Sequence, residues 1–251
     1  MTTPIALITG GSRGLGKSMV QRVATHGTDV IFTYQRNRAD ADALVAELES
    51  NGRRATALQL DVSDTRTFDA FAEQVRSVLR GWRTEQFDFL VNNAGIGLDA
   101  SIADTTEEQF DQLMNLHVKG PFFLTQKLLP LIADGGRIVN VSTGLTRFVF
   151  PGRGAYASAK GAVEVMTKYL ALELGPRRIA VNVIAPGAIA TDFGGGVVRD
   201  DPSVNQMIAS HTALGRVGLP EDISGVVASL LSPEMSWVNA QRIEVSGGQN
   251  L

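Results

Sequence analysis

Apolar runs of strand length alternate with longer segments of helical spacing along the whole chain. Residues 5–9 are apolar, end in glycines and predict a buried strand. Residues 15–26 carry Met19, Val20 and Val23 on one side, as an amphipathic helix does. Further strands are predicted over 29–33, 55–60, 87–91, 137–141, 180–184 and 242–245. Helices are predicted over 40–50, 65–79, 106–132 (one long or two joined), 155–174 and 222–231. Asn51-Gly52 stops the second helix as a C-terminal cap would. The strands are apolar throughout, which burial on both faces requires. Strand–helix alternation means βαβ units, hence a doubly wound α/β fold: a parallel sheet with helices on both faces.

No repeat, low-complexity tract or Pro/Ser-rich linker divides the 251 residues, so a single domain over 1–251 is expected. The least regular stretch falls within about 187–213 and holds Gly194-Gly195-Gly196 and Asp200-Asp201-Pro202. A loop of that length in a compact α/β domain predicts a lid over a substrate site.

Composition removes several classes of function. Without Cys there is no disulfide, thiol nucleophile or thiolate-bound metal. A net charge of −3 argues against a general nucleic-acid binder. Met1–Pro4 lacks the basic start of a signal peptide, and no apolar run approaches the ~20 residues of a membrane span. A soluble, cytoplasmic protein with no membrane partner is expected. His26, His117 and His211 lack the spacing of a ligand set, so no metal site is expected.

Thr9-Gly10-Gly11-Ser12-Arg13-Gly14-Leu15-Gly16 ends the first strand and opens the first helix. A doubly wound sheet binds a dinucleotide at that place. Helix N-terminal N–H groups attract a pyrophosphate, and glycines let the backbone come close. The same residues would also serve a tight turn packing helix on strand. At the end of the second strand, Thr33-Tyr34-Gln35-Arg36-Asn37-Arg38 offers no carboxylate for a ribose 2′-hydroxyl. Arg13, with Arg36 and Arg38, suits a 2′-phosphate, so NADP(H) is expected over NAD(H). Arg36 and Arg38 as plain solvated charges would look no different.

Tyr156 and Lys160 lie four apart in a predicted helix and share a face. An ammonium near a phenol lowers its pKa from about 10, readying it to exchange a proton with a carbonyl or alcohol oxygen. The pair alone is a common surface pattern. In its surroundings, the chain resembles the short-chain dehydrogenase/reductase family from Leu7 to Gly248. The matching motifs are Thr9-Gly10-x3-Gly14-x-Gly16, Asp61-Val62, Asn92-Asn93-Ala94-Gly95, Tyr156-x3-Lys160, and Pro186-Gly187 with Thr191. The resemblance implies a Rossmann-like sheet of seven strands and hydride transfer on nicotinamide. It implies cofactor contacts from Gly10, Ser12, Arg13, Gly14, Leu15 and Gly16 at the turn, and from Tyr34 and Arg36. It puts Asp61 and Val62 beside the adenine, and Asn92, Ala94 and Gly95 at the cofactor's central part. Tyr156 and Lys160 would meet the nicotinamide ribose; Pro186, Gly187, Ile189 and Thr191 would meet the nicotinamide end. A homotetramer is also implied, with one interface from the helices over 106–132 and 155–174 and another from 237–248.

Two positions depart from the family's pattern. A serine is expected thirteen residues before the tyrosine, where this chain has Thr143. Thr keeps the hydroxyl that would polarise a substrate oxygen. Ser142, just before it, is the alternative if the strand end is slipped by one. Where the family has an asparagine whose carbonyl holds a relay water, this chain has His117, with Asn115 two residues earlier. Pro121 has no N–H, so the His117 carbonyl loses its helical partner and is free to accept. The His117 side chain would then tune or extend the relay, or merely pack at a kink.

The expected function is an NADP(H)-dependent carbonyl reductase or alcohol dehydrogenase acting on a small ketone or secondary alcohol. Tyr156 would be the acid, Thr143 would hold the oxygen and Lys160 would position the ribose. Phe148, Phe150 and Phe193 would wall the pocket. A 3-oxoacyl-thioester reductase is the rival, with Arg147 and Arg153 as its only basic candidates for an acidic carrier. A catalytically silent NADP sensor is the reading outside the enzymes.

Overall fold

Residues along the first strand point alternately to two different cores. In the computed structural model, which describes residues 3–251, Ala6 and Ile8 of β1 (Ile5–Ile8) join one buried cluster, while Ile5 and Leu7 join another. Successive side chains of a strand leave opposite faces of its sheet, so β1 is buried on both. The same holds for β2 (Asp29–Tyr34) and β6 (Ala180–Pro186), whose residues are buried without exception. The reading of Met1–Pro4 falls partly outside the described residues.

The sheet is parallel and seven-stranded, in the order β3-β2-β1-β4-β5-β6-β7. The other strands are β3 (Ala55–Gln59), β4 (Phe87–Asn92), β5 (Ile132–Val141) and β7 (Arg242–Val245). One face is covered by α1 (Gly14–Thr25), α2 (Arg38–Ser50) and α9 (Pro220–Leu231). The other carries α3 (Phe68–Gly81) and α5 (Gly120–Leu128). Strand order reverses between β1 and β4, and the crevice beyond their carboxyl ends is where such sheets bind ligands. The glycine turn follows β1 and Asn92–Gly95 closes β4, so both motifs open there.

Three elements differ from expectation. The helix predicted over 106–132 is two: α4 (Glu107–Met114) and α5, joined by a π-turn over Asn115–Lys119. Pro121, in the first turn of α5, has no N–H to continue the ladder across the joint. After Leu128 a short turn containing Pro130 passes directly into β5, which therefore begins earlier than Arg137. The irregular stretch within 187–213 is largely helical. A short turn at Phe193–Gly196 leads into α7 (Val197–Asp200) and α8 (Pro202–Ser210). Asp201 caps α8 by accepting from the N–H groups of Ser203 and Val204, with Pro202 in its first turn. That pairing is a helix-start signal, masked in the sequence by three glycines. α6 (Gly154–Glu173) runs almost as predicted.

Candidate active site

The glycine turn is shaped for close approach. Gly10 and Gly14 have φ of 66° and 52°, in the left-handed region. A Cβ on Gly16 would overlap the Gly10 carbonyl oxygen, so the start of α1 lies against the turn itself. No side chain caps α1, leaving its first N–H groups available to an anion. A cleft of about 560 Å³ opens there, lined by Ser12, Arg13, Gly14 and Lys17 and, across from them, Thr191, Asp192 and Arg199. Ser12 and the cations Arg13, Lys17 and Arg199 would suit the phosphates of a dinucleotide, and the carboxylates of Asp40, Asp192 and Glu221 also line the cleft. Thr9 and Asn93 hold the two motifs together: Thr9 Oγ1 accepts from the N–H groups of Asn93 and Ala94, and Asn93 Nδ2 donates to the Thr9 carbonyl at 2.8 Å.

Beyond the turn, β5 and α6 bring the reactive side chains together. The Thr143 hydroxyl lies near enough to the Tyr156 phenol to pull its pKa down, and it accepts from the Leu145 N–H at 3.3 Å. Ser142 points the other way: its Oγ donates to Glu164 at 2.7 Å. The two neighbouring hydroxyls, just past the end of β5, therefore have different surroundings. Lys160 Nζ donates to the Val141 carbonyl at 2.8 Å and lies 5.8 Å from the Tyr156 ring centroid. Both are buried, at 7% and 5% exposure. Burial pushes Tyr156 up to about 12, against a counter-pull from the Arg153 charge and the Thr143 hydroxyl. Burial likewise pushes Lys160 down to about 7. In the protein alone, burial therefore dominates the phenol's pKa.

His117, on the π-turn, is 1% exposed. Its Nε2 donates to the Ile96 carbonyl at 2.9 Å, and among the described residues its Nδ1 has no partner. Burial and the nearby Lys160 charge push its pKa down to about 2, so the ring is neutral.

Comparison with known proteins agrees with this geometry. A family model described as enoyl-(acyl carrier protein) reductase matches residues 10–250. A short-chain dehydrogenase/reductase of Pestalotiopsis microspora is 34% identical over 255 residues, which cover 97% of this chain and 94% of the relative. The chain belongs to the short-chain dehydrogenase/reductase family. It is an oxidoreductase of that family, with the expected Rossmann-like sheet. Versicolorin reductase 1 of Aspergillus parasiticus is similar at 34% identity over 97% of this chain and 95% of its own. Among solved structures, the angucycline C-6 ketoreductase LanV with bound NADP superimposes with a TM-score of 0.93 at 34% identity, covering 99% of this chain and 96% of that one.

The other family positions fall into two groups. Near the cleft, Tyr34 and Val62 are buried, and Arg36 is exposed at the end of β2. Arg38 begins α2 and pairs with Asp42. Asp61 accepts from Ser63 and Gln35, and these bonds hold it low although burial opposes them. On the β6 side, Pro186 ends the strand, and the Gly187 N–H donates to the Val245 carbonyl at 3.1 Å. Ile189 bridges to Gly218, and Thr191 is buried. Asn92 is different: its amide donates to Thr125 and Asn140 in a buried ladder, away from the crevice. Ala94 and Gly95 remain at the crevice, with the His117 ring against Gly95.

Of the three phenylalanines expected to wall the pocket, Phe193 stands at Tyr156, with centroids 6.1 Å apart. Phe148 folds back over Gly144. Phe150 is half exposed. Arg147 is bound at both ends of its fork by Glu244 and donates to the carbonyls of Gln249 and Asn250, so it fastens the C-terminal segment. Sequence reasoning missed Asn93 and Asp192. Asn93 was visible only as one letter of a motif, and Asp192 reaches Arg13 from 179 residues away.

Proposed function

We propose that the protein is an NADPH-dependent ketoreductase acting on ketones of fused, largely apolar rings. The observation that carries this reading is the buried Tyr156 phenol with the Thr143 hydroxyl near it and the buried Lys160 one helical turn along α6. A buried phenol with its pKa raised to about 12 keeps its proton at neutral pH, which suits donation to a carbonyl oxygen rather than abstraction from an alcohol. Thr143 would donate a second hydrogen bond to that oxygen as it gains charge. Lys160 would hold the ribose hydroxyls beside the phenol. Bound NADPH would supply the hydride. Arg13 and Arg36 would hold its 2′-phosphate with their donor forks. The neutral His117, with a free Nδ1 acceptor, supports a proton relay by hydrogen bonding rather than by charge.

Support for the substrate class comes from Phe193 at Tyr156, and from two relatives, one named versicolorin reductase 1 and the other the angucycline C-6 ketoreductase LanV. The thioester reading loses one of its two basic candidates, because Arg147 is spent on Glu244 and the C-terminal carbonyls. The region over 187–213 would act as a lid, since Thr191, Asp192 and Phe193 already reach the turn and the phenol. Assembly as a homotetramer is supported by exposed apolar residues Val165, Tyr169 and Leu172 on α6 and by the 98% exposed Trp237. The purified protein should oxidise NADPH with fused-ring ketones faster than with a 3-oxoacyl thioester, and faster than with NADH. Turnover of the thioester alone would reverse the assignment of substrate. Absence of turnover with every ketone would leave the sensor reading standing.

A further inference from the structure

Arg153 stands three residues before Tyr156, at the N-cap of α6, with its side chain only 20% exposed. It does not cap that helix. Its Nε lies 2.6 Å from Asp99 Oδ1, in the loop after β4. Among the described residues, its terminal amino groups have no hydrogen-bond acceptor in the protein. Gly97 shows where that free end points: a Cβ there would lie 3.3 Å from Arg153 Nη1 and 2.9 Å from Phe193 Cε1. The guanidinium and the ring that stands at Tyr156 therefore flank one glycine, and any side chain at 97 would close the space between them. The loop is fixed in place by the Ala100 N–H donating to the Gly152 carbonyl at 3.0 Å and by Ile102 against Gly154. Asp99 is 61% exposed, so the carboxylate holding Nε sits at the watery rim.

We propose that Arg153 is a substrate-positioning residue whose free amino groups bind an anionic oxygen, a carboxylate or an ionised phenol, attached close to the reacting carbonyl. A guanidinium with one nitrogen beside a carboxylate still presents donors in a fixed fork, the geometry that suits an oxyanion. The guanidinium also acts on Tyr156, since its charge lowers the phenol's pKa against burial. An anion bound there would draw on that field and fix which face of the ketone meets Thr143 and Tyr156. The inference rests on the ketoreductase reading for its substrate, and it can be tested without it.

The kinetic test compares tetralone with its phenol-substituted and carboxyl-substituted forms. Wild type should favour an anionic form by roughly tenfold or more in kcat/KM, the size of one hydrogen bond to a charged group. The two substituted forms distinguish phenolate from carboxylate. Arg153→Gln should collapse that ratio, and Arg153→Lys should restore part of it. The binding test uses naphthoate against naphthalenemethanol by calorimetry, and needs no turnover. Naphthoate should bind wild type roughly tenfold tighter, lose that advantage in Arg153→Gln, and gain further in Asp99→Asn, which frees the guanidinium. Equal binding of the two by wild type, or an unchanged preference in Arg153→Gln, overturns the proposal. Failure of all tetralones to react while naphthoate binds through Arg153 would count against the ketoreductase reading alone.

Discussion

The imidazole of His117 stands edge-on to the phenol ring of Tyr156, with centroids 5.3 Å apart and planes at 84°. An edge-to-face contact of two rings is favourable in itself, and Phe193 packs against the same phenol. The contact also puts an uncharged imidazole, not an acid, beside the phenol.

That burial has a cost in acid. The folded protein does not protonate His117 until about pH 2, whereas the unfolded chain does so near 6.5. Between those values the unfolded state holds the extra proton, so stability falls as pH falls, by up to ~1.4 kcal/mol per pH unit from this residue. His117→Asn should flatten the acid limb of stability measured by urea unfolding. Parallel limbs for the two proteins would show that His117 is not the residue being titrated.

Lys160 acts over a higher window. Its folded pKa of about 7 lies below its ordinary 10.5, so the unfolded chain binds more protons between those values and stability rises with pH across them. Lys160→Met should remove that slope and raise the melting temperature at neutral pH, while abolishing activity. A lower melting temperature in Lys160→Met would mean that the hydrogen bond to Val141 outweighs desolvation.

Adjacent hydroxyls just past β5 should separate cleanly. Thr143→Ala should lower kcat by roughly 10²–10³, as loss of one donor to a developing oxyanion does, and Thr143→Ser should recover most of it. Ser142→Ala should leave kcat near wild type and cost about 1 kcal/mol of stability through its lost bond to Glu164. The reverse pattern in steady-state kinetics would reassign the role to Ser142.

Arg13 is held by Asp192 at 2.6 Å, so the same guanidinium serves the lid segment and the proposed 2′-phosphate. Arg13→Ala should raise KM for NADPH roughly tenfold or more with little effect on NADH. Asp192→Asn should lower KM for NADPH by removing the competing carboxylate. An Arg13→Ala enzyme with the wild-type preference for NADPH would place phosphate recognition at Arg36.

Much of this protein is determined locally and is legible in its sequence. Apolar runs such as Ile5–Ile8 and Ala180–Pro186 can be buried only between two helical layers, so the parallel sheet follows from the pattern. The glycine turn and the Tyr156/Lys160 spacing are likewise local, because a turn's φ values and a helix's periodicity act over a few residues. Other features depend on neighbours distant in the chain. The different surroundings of Ser142, which donates to Glu164, and Thr143, near Tyr156, depend on how α6 packs beside the end of β5. Asn92 was drawn inward by Thr125 and Asn140, and the protonation of His117, Tyr156 and Lys160 was set by burial that no spacing encodes. Arg147 and Arg153 look alike as letters. One is spent on Glu244 and the C-terminal carbonyls, and the other keeps free donors beside the phenol, because hydrogen-bond partners are assigned only when the chain closes on itself.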